Sequence, residues 1–140
     1  MKTCYIFGAA DGLPDRFKKN EEDLVIAADS GINHLEKFGA LPDIAVGDFD
    51  SLGFVPDCGE VIRHPVMKDD TDTMAAIRHA VTVGCGEIWL YCAMGGRLDH
   101  LLGNLQAAAF AVKHGVWVRI IDRETEIRVF TGGCITVPER

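Results

Sequence analysis

At 140 residues the chain has room for one domain, and a domain near that size buries roughly 68–70% of the surface its unfolded chain exposes, enough for a real core. A net charge of −7, with 48% hydrophobic and 25% charged residues, describes a globular protein. It speaks against nucleic acid as a partner, because no basic stripe is available to neutralise phosphates.

The first apolar run, Cys4-Tyr5-Ile6-Phe7, ends at Gly8 and predicts a strand, followed by a loose glycine loop, Gly8-Ala9-Ala10-Asp11-Gly12, that is only a weak nucleotide-contact signal. Leu24 to Ala28 is a second strand. Ile32, Leu35 and Phe38 then fall at helical spacing, with Gly39 as the stop. Ile44-Ala45-Val46 is a third strand and the more polar Glu60 to His64 a fourth. Met74, Ile77 and Val81 line one face of a helix that Thr71 or Asp72 caps and Gly84 ends. Glu87 to Cys92 is a fifth strand. The strongest helical stripe, Leu98, Leu101, Leu102, Leu105, Ala109 and Val112, closes at Gly115 before a sixth strand, Val116 to Ile121. Glu126 to Thr131 alternates polar and apolar, and with Ile135-Thr136-Val137 across Gly132-Gly133 it reads as a hairpin beginning an antiparallel unit. Near-continuous apolar runs belong to strands buried on both faces. The expected fold is therefore a three-layer α/β/α domain with a mainly parallel, Rossmann-like sheet of about six strands.

The five cysteines (Cys4, Cys58, Cys85, Cys92, Cys134) contain no Cys-x-x-Cys pair and read as small buried hydrophobes in a reducing compartment. Trp89 and Trp117 fall within strands and read as core. The chain starts without a basic leader, and no apolar run approaches the ~20 residues of a membrane span. A cytoplasmic protein with no membrane partner is expected.

Ligands of open parallel sheets bind outside the carboxyl ends of the strands, and three acidic motifs fall there. In Gly47-Asp48-Phe49-Asp50-Ser51, Asp48 and Asp50 share one side of an extended chain. Their repulsion, about 4 kcal/mol at 4 Å and a surface-like dielectric, is relieved by a divalent cation, and oxygen-only ligands suit Mg²⁺. In Lys68-Asp69-Asp70-Thr71-Asp72 a lysine and a helix N-terminus favour phosphate, and Asp72 is placed to share the metal. In Gly95-Gly96-Arg97-Leu98-Asp99-His100 the glycines allow close backbone approach and Arg97 offers a bidentate grip on phosphate oxygens. Each motif alone also fits a turn or a helix cap. Three at equivalent strand ends point to a Mg²⁺–polyphosphate site. A P-loop and a dinucleotide fingerprint are both absent from the sequence. His34, His64, His79 and His114 lack metal-ligand spacing.

Taken in order, Ala28-Asp29-Ser30-Gly31-Ile32-Asn33-His34-Leu35, then Pro42-Asp43 leading to the Asp48 motif, then the Asp72 and Asp99 motifs, resemble the N-terminal catalytic domain of thiamine pyrophosphokinase (thiamine diphosphokinase). The resemblance covers nearly the whole chain; Ser30-Gly31 stands where the family often has Gly-Gly. It implies Mg²⁺-dependent transfer of the diphosphate of ATP to the hydroxyl of thiamine, giving thiamine diphosphate and AMP. By that similarity Asp48, Asp50 and Asp72 are the metal ligands. Lys68, Thr71, Gly95, Gly96, Arg97, Asp99 and His100 contact the nucleotide or its phosphates. Asp29 lines the same cleft and joins Asp48, Asp50, Asp72 and Asp99 as a catalytic carboxylate; Asp72 and Asp29 are both candidates to take the hydroxyl proton. The resemblance also implies a homodimer in the full-length form and a small all-β second domain that completes the thiamine pocket. Residues 1–124 are thus expected to be the nucleotide-binding domain, and 125–140 the start of a C-terminal β domain that is truncated or missing. Two alternatives share the nucleotide half: a pyrophosphokinase for another alcohol such as a hydroxymethylpterin, and a nucleotide-binding module without turnover.

Overall fold

The computed structural model describes residues 2–14, 17–47, 59–63 and 71–136. In chain order its elements are β1 (Thr3–Phe7), β2 (Leu24–Ala28), α1 (Gly31–Glu36), β3 (Ile44–Gly47), β4 (Glu60–Arg63), α2 (Asp72–Thr82), β5 (Glu87–Tyr91), α3 (Leu98–Lys113), β6 (Trp117–Ile121) and β7 (Glu126–Val129). The strands form one seven-stranded sheet in the order β4-β3-β2-β1-β5-β6-β7. All neighbours pair parallel except β6 and β7. The strand order reverses between β1 and β5, which makes that crevice the topological switch point.

The period-two alternation of a strand explains why its residues are apolar throughout. Cys4 and Ile6 of β1, Ile26 of β2, Val46 of β3, Ile88 and Leu90 of β5 and Ile120 of β6 face the layer of α2 and α3. Tyr5 and Phe7, with Val25, Ala27 and Tyr91, face the other layer, where Ile32 and Leu35 of α1 cover them. Full burial of each such aliphatic side chain is worth roughly 1.5–3 kcal/mol. Phe17, from the connection between β1 and β2, sets its ring edge-on to Tyr5 and Phe7 at centroid distances of 5.1 and 5.0 Å. Two layers of helix around one mainly parallel sheet agree with the expected three-layer α/β/α fold. No helix among the described residues is long and apolar enough to cross a membrane.

Four expectations are corrected. The alternating segment does form a hairpin, but with β6: β7 pairs antiparallel with it, Ile120 opposite Ile127. Neither Ile135 nor Thr136 lies in a strand, and Val137 is outside the described residues. The turn explains the choice, since Asp122 Oδ1 accepts from the Glu124 and Thr125 N–H groups at 2.8 and 2.7 Å. The predicted stripe of α3 is only partly the buried face: Leu98 and Leu102 are 70% and 53% exposed, whereas Leu105 packs against the core and Val112 is buried. Ala107, Ala108 and Ala111, outside the stripe, complete that face as small residues that let the helix lie close to the sheet. Trp117 is not core either: it is exposed, with its ring 5.4 Å from that of Phe130. Among the cysteines, Cys4, Cys85 and Cys92 are buried as expected, Cys134 is exposed, and Cys58 lies outside the described residues.

Candidate active site

A cavity of about 270 Å³ opens at the carboxyl ends of β1, β2 and β5, beside the switch point. Its floor is backbone. The Gly8 N–H donates to Tyr91 O at 2.9 Å and the Ala10 N–H to Cys92 O at 3.0 Å, so the loop after β1 is laced to the loop after β5. A β-carbon on Gly95 would lie 3.1 Å from Asp11 O, so the two loops pack closely there and a side chain would press on the first. Cys92 lies on the floor in a left-handed conformation, φ 58°, sparsely populated by residues other than glycine. Burial, with the nearby Asp11 charge adding, pushes its thiol up to about 11. It is a neutral wall here, not a nucleophile.

Three carboxylates border this space. Asp29 follows β2 with φ 54°, and its N–H donates to Val46 O at 2.8 Å, which ties the end of β2 to β3. Asp72 opens α2. A β-carbon on Gly47 would lie 3.4 Å from Asp72 Oδ2 and 3.4 Å from Asp29 Cα, so both aspartates gather at the end of β3. Thr71 is the N-cap of α2, its Oγ1 accepting from the Met74 N–H at 3.1 Å, and Thr71 and Thr73 line the cavity beside Asp72. The positive end of an 11-residue helix dipole therefore points at the space where an anion would sit.

The third carboxylate, Asp99, lies in the first turn of α3 with His100. Its partner is Arg97, whose Nε and Nη2 donate to Asp99 Oδ1 and Oδ2 at 3.0 and 2.7 Å. Desolvation raises the Asp99 pKa, but the Arg97 charge and hydrogen bonds, with smaller help from His100, outweigh it and hold the carboxyl below the usual carboxylate range. Arg97 itself is exposed and is not part of the cavity wall, and neither is Gly96. Its guanidinium is engaged by Asp99 rather than presented to the cavity.

The structure thus brings together Asp29, Thr71, Asp72, Gly95, Asp99 and His100. Asp48, Asp50 and Lys68 lie outside the described residues. Of the three candidate metal ligands, Asp72 is the one described, and its carboxylate faces the residue that immediately precedes Asp48. Oxygen-only donors there suit a hard cation. Among the described residues no group of three His, Cys, Asp or Glu side chains could hold a metal. The Pro42-Asp43 part of the motif is structural: Asp43 Oδ2 accepts from the Val25 N–H at 2.9 Å and sits 3.6 Å from Lys19 Nζ. Gly103 and Asn104 of α3 also line the cavity and were not among the expected residues. A glycine in the interior of a strong helical pattern was the available signal.

Comparison with known proteins adds the family. The model described as "Thiamin pyrophosphokinase, catalytic domain" matches residues 17–120. The thiamine pyrophosphokinase of Bacillus subtilis (strain 168) is 32% identical over 142 residues, covering 95% of this chain and 66% of that protein. The crystal structure of thiamin pyrophosphokinase from Geobacillus thermodenitrificans superposes with a TM-score of 0.73 at 32% identity, over 88% of this chain and 60% of that one. That of a thiamin pyrophosphokinase family protein from Enterococcus faecalis gives 0.74 at 27% identity, over 99% and 69%. The chain thus spans 60–69% of the length of these relatives. With the family model matched over most of its length and the strand-end cavity in place, the chain belongs to the thiamin pyrophosphokinase catalytic-domain family.

Proposed function

We propose that this chain carries the nucleotide half of a Mg²⁺-dependent diphosphotransferase that moves the β,γ-diphosphate of ATP to the hydroxyl of thiamine. The observation that carries the reading is the meeting of Asp29 and Asp72 at the end of β3, with the N-terminus of α2 beside them. Two acids next to a phosphate-favouring helix end make sense together only if a cation stands between them and a polyphosphate. Asp72, Asp48 and Asp50 would hold that cation, which when bound would neutralise phosphate charge and orient the reacting groups.

In the reaction the thiamine hydroxyl oxygen forms a bond to the β-phosphorus while the bond from that phosphorus to the α,β-bridging oxygen breaks. AMP leaves with that oxygen, and the hydroxyl proton passes to a carboxylate, Asp29 or Asp72, or to solvent. The work left to the protein is positioning and charge stabilisation. The laced loops after β1 and β5 fix the cavity floor, and the N-terminus of α2 faces the phosphates. Asp99, held charged by Arg97, keeps the α3 side anionic and so favours ligand hydroxyl or amino groups over phosphate there.

On the same reading, residues 1–124 serve the nucleotide and residues 125–140 begin a second unit. A C-terminal β domain would complete the pocket for the acceptor alcohol, in a cytoplasmic homodimer. Incubation with ATP, Mg²⁺ and thiamine, followed by nucleotide analysis, tests the reading. AMP formed with thiamine supports it. AMP formed only with another alcohol, such as a hydroxymethylpterin, replaces the acceptor, and ATP bound without turnover reduces the chain to a nucleotide-binding module. ADP as product would exclude diphosphate transfer altogether.

A further inference from the structure

The wall of the cavity formed by α3 carries two features that its packing does not explain. Gly103 lies in the interior of a 16-residue helix, where glycine is about 1 kcal/mol worse than alanine. A β-carbon there would meet nothing within 4 Å, so neither sheet nor helix requires the glycine. The space it leaves open is cavity. The next residue, Asn104, reaches back and donates from Nδ2 to Ala93 O at 2.8 Å. A backbone carbonyl only accepts, so the amide nitrogen must face Ala93 and the Oδ1 is left over. Among the described residues no group donates to that oxygen, although Asn104 is partly buried and borders the cavity.

We propose that Asn104 is a specificity-determining residue of the cavity: its Oδ1 accepts a hydrogen bond from an N–H or O–H group of the nucleotide, in the space that Gly103 keeps clear. This rests on the reading of the cavity as an ATP site. The chemistry is complementary. Asp29, Asp72 and Asp99 give the cavity a surplus of acceptors, and Oδ1 is a neutral one on the α3 wall. It therefore suits the uncharged, donor-bearing part of the ligand, while the phosphates go with the cation and the N-terminus of α2. Two nucleotide groups have the required chemistry, the ribose hydroxyls and the exocyclic amino group of the base. The bond to Ala93 O gives Asn104 a second consequence, since it anchors α3 to the turn that holds Cys92 at φ 58°. The amide thereby arrives at the cavity with its rotamer already set, and less side-chain entropy is lost when the ligand binds.

The test is calorimetric titration of the 140-residue chain and its variants with the Mg²⁺ complexes of ATP, 2′-deoxy-ATP, 3′-deoxy-ATP and purine riboside triphosphate, which lacks the 6-amino group. The unmodified chain is expected to bind one of the three analogues roughly threefold to tenfold more weakly than ATP, the range of one net hydrogen bond; the analogue that weakens identifies the donor. Asn104→Ala is expected to bind all four ligands alike. Asn104→Asp, which keeps an acceptor but cannot donate to Ala93 O, is expected to retain the discrimination while binding every ligand less well. A purely structural Asn104 would lower all affinities by the same factor in both variants and leave the ranking intact, which overturns the proposal. Equal binding of all four ligands by the unmodified chain overturns it too. A chain that binds no Mg–ATP at all overturns instead the nucleotide reading beneath it.

Discussion

Replacing Gly31 by alanine should cost this protein more than replacing any exposed residue, for a reason that can be measured on the structure. An ideal β-carbon on Gly31 would lie 1.9 Å from Phe7 O, 2.7 Å from Phe7 C and 3.1 Å from Gly8 O. Carbon–oxygen contacts settle at roughly 3.3–3.6 Å, so α1 and the end of β1 must part by about 1.5 Å. Neither side yields easily. Phe7 belongs to a strand bonded on both edges, to β2 and β5, and α1 is held against it by the buried Ile32 and Leu35. Overpacking in a core typically costs about 1–3 kcal/mol, and a clash with strand backbone belongs at the upper end. For a 140-residue domain the unfolding entropy is about 0.3 kcal/mol/K, so about 3 kcal/mol lowers Tm by about 10 °C. Gly103→Ala is the matched control, because nothing lies within 4 Å of the added carbon and the site is helical. There the same substitution should stabilise by about 1 kcal/mol and raise Tm by about 3 °C. Thermal unfolding followed by circular dichroism reads both. A Gly31→Ala protein that melts with the parent would mean that α1 is not seated on β1 as described.

Thr71→Ala should destabilise by about 1 kcal/mol through loss of the Met74 N–H cap, and Thr71→Ser should restore most of it; urea midpoints of the two variants compare them, and equal midpoints would remove the cap. Asp99 should titrate below the ordinary carboxylate range, and Arg97→Gln should raise its pKa, which carbon-13 NMR of the carboxyl can follow. Because the folded pKa is depressed, whatever stability the pair supplies is present above the unfolded pKa and is lost as pH falls through the folded one. The carboxylate is largely exposed, so the titration and not the stability is the sensitive readout. A titration curve unchanged by the Arg97 substitution would mean that the pair does not persist in solution.

The strands and their order in the chain were legible because burial on both faces leaves a continuous apolar run, as in Leu24 to Ala28, that few other elements produce. The partner of β7 was not legible. Alternation in Glu126 to Thr131 says that one face is wet but not which neighbour pairs, and the deciding signal was the Asp122 side chain that closes the turn from β6. The α3 stripe was right at Leu105 and Val112 but misled at Leu98 and Leu102, which lie toward the N-terminal end of the helix and stay exposed, while alanines make much of the close contact. At the site, Asp29, Asp72 and Asp99 stood out because charged groups at strand ends have few structural uses, and the structure sets these three around one cavity. Gly103 and Asn104 were overlooked because a glycine and an amide inside a helical pattern look like noise until the cavity is seen. Arg97 shows what sequence spacing leaves out: its type suits phosphate, and in the structure it pairs with a carboxylate two residues away.

The most direct test follows backbone amide shifts by NMR as Mg–ATP is added to the nitrogen-15-labelled chain, and repeats the titration with EDTA and with Asp72→Asn. Binding at the strand ends predicts saturable shifts at Ala10, Asp29, Asp72, Gly95 and Asn104, which border the cavity, lost with the metal or with the Asp72 carboxylate. Shifts confined to the cleft lined by Trp117, Arg119 and Phe130, or shifts indifferent to Mg²⁺ and to Asp72, would contradict it.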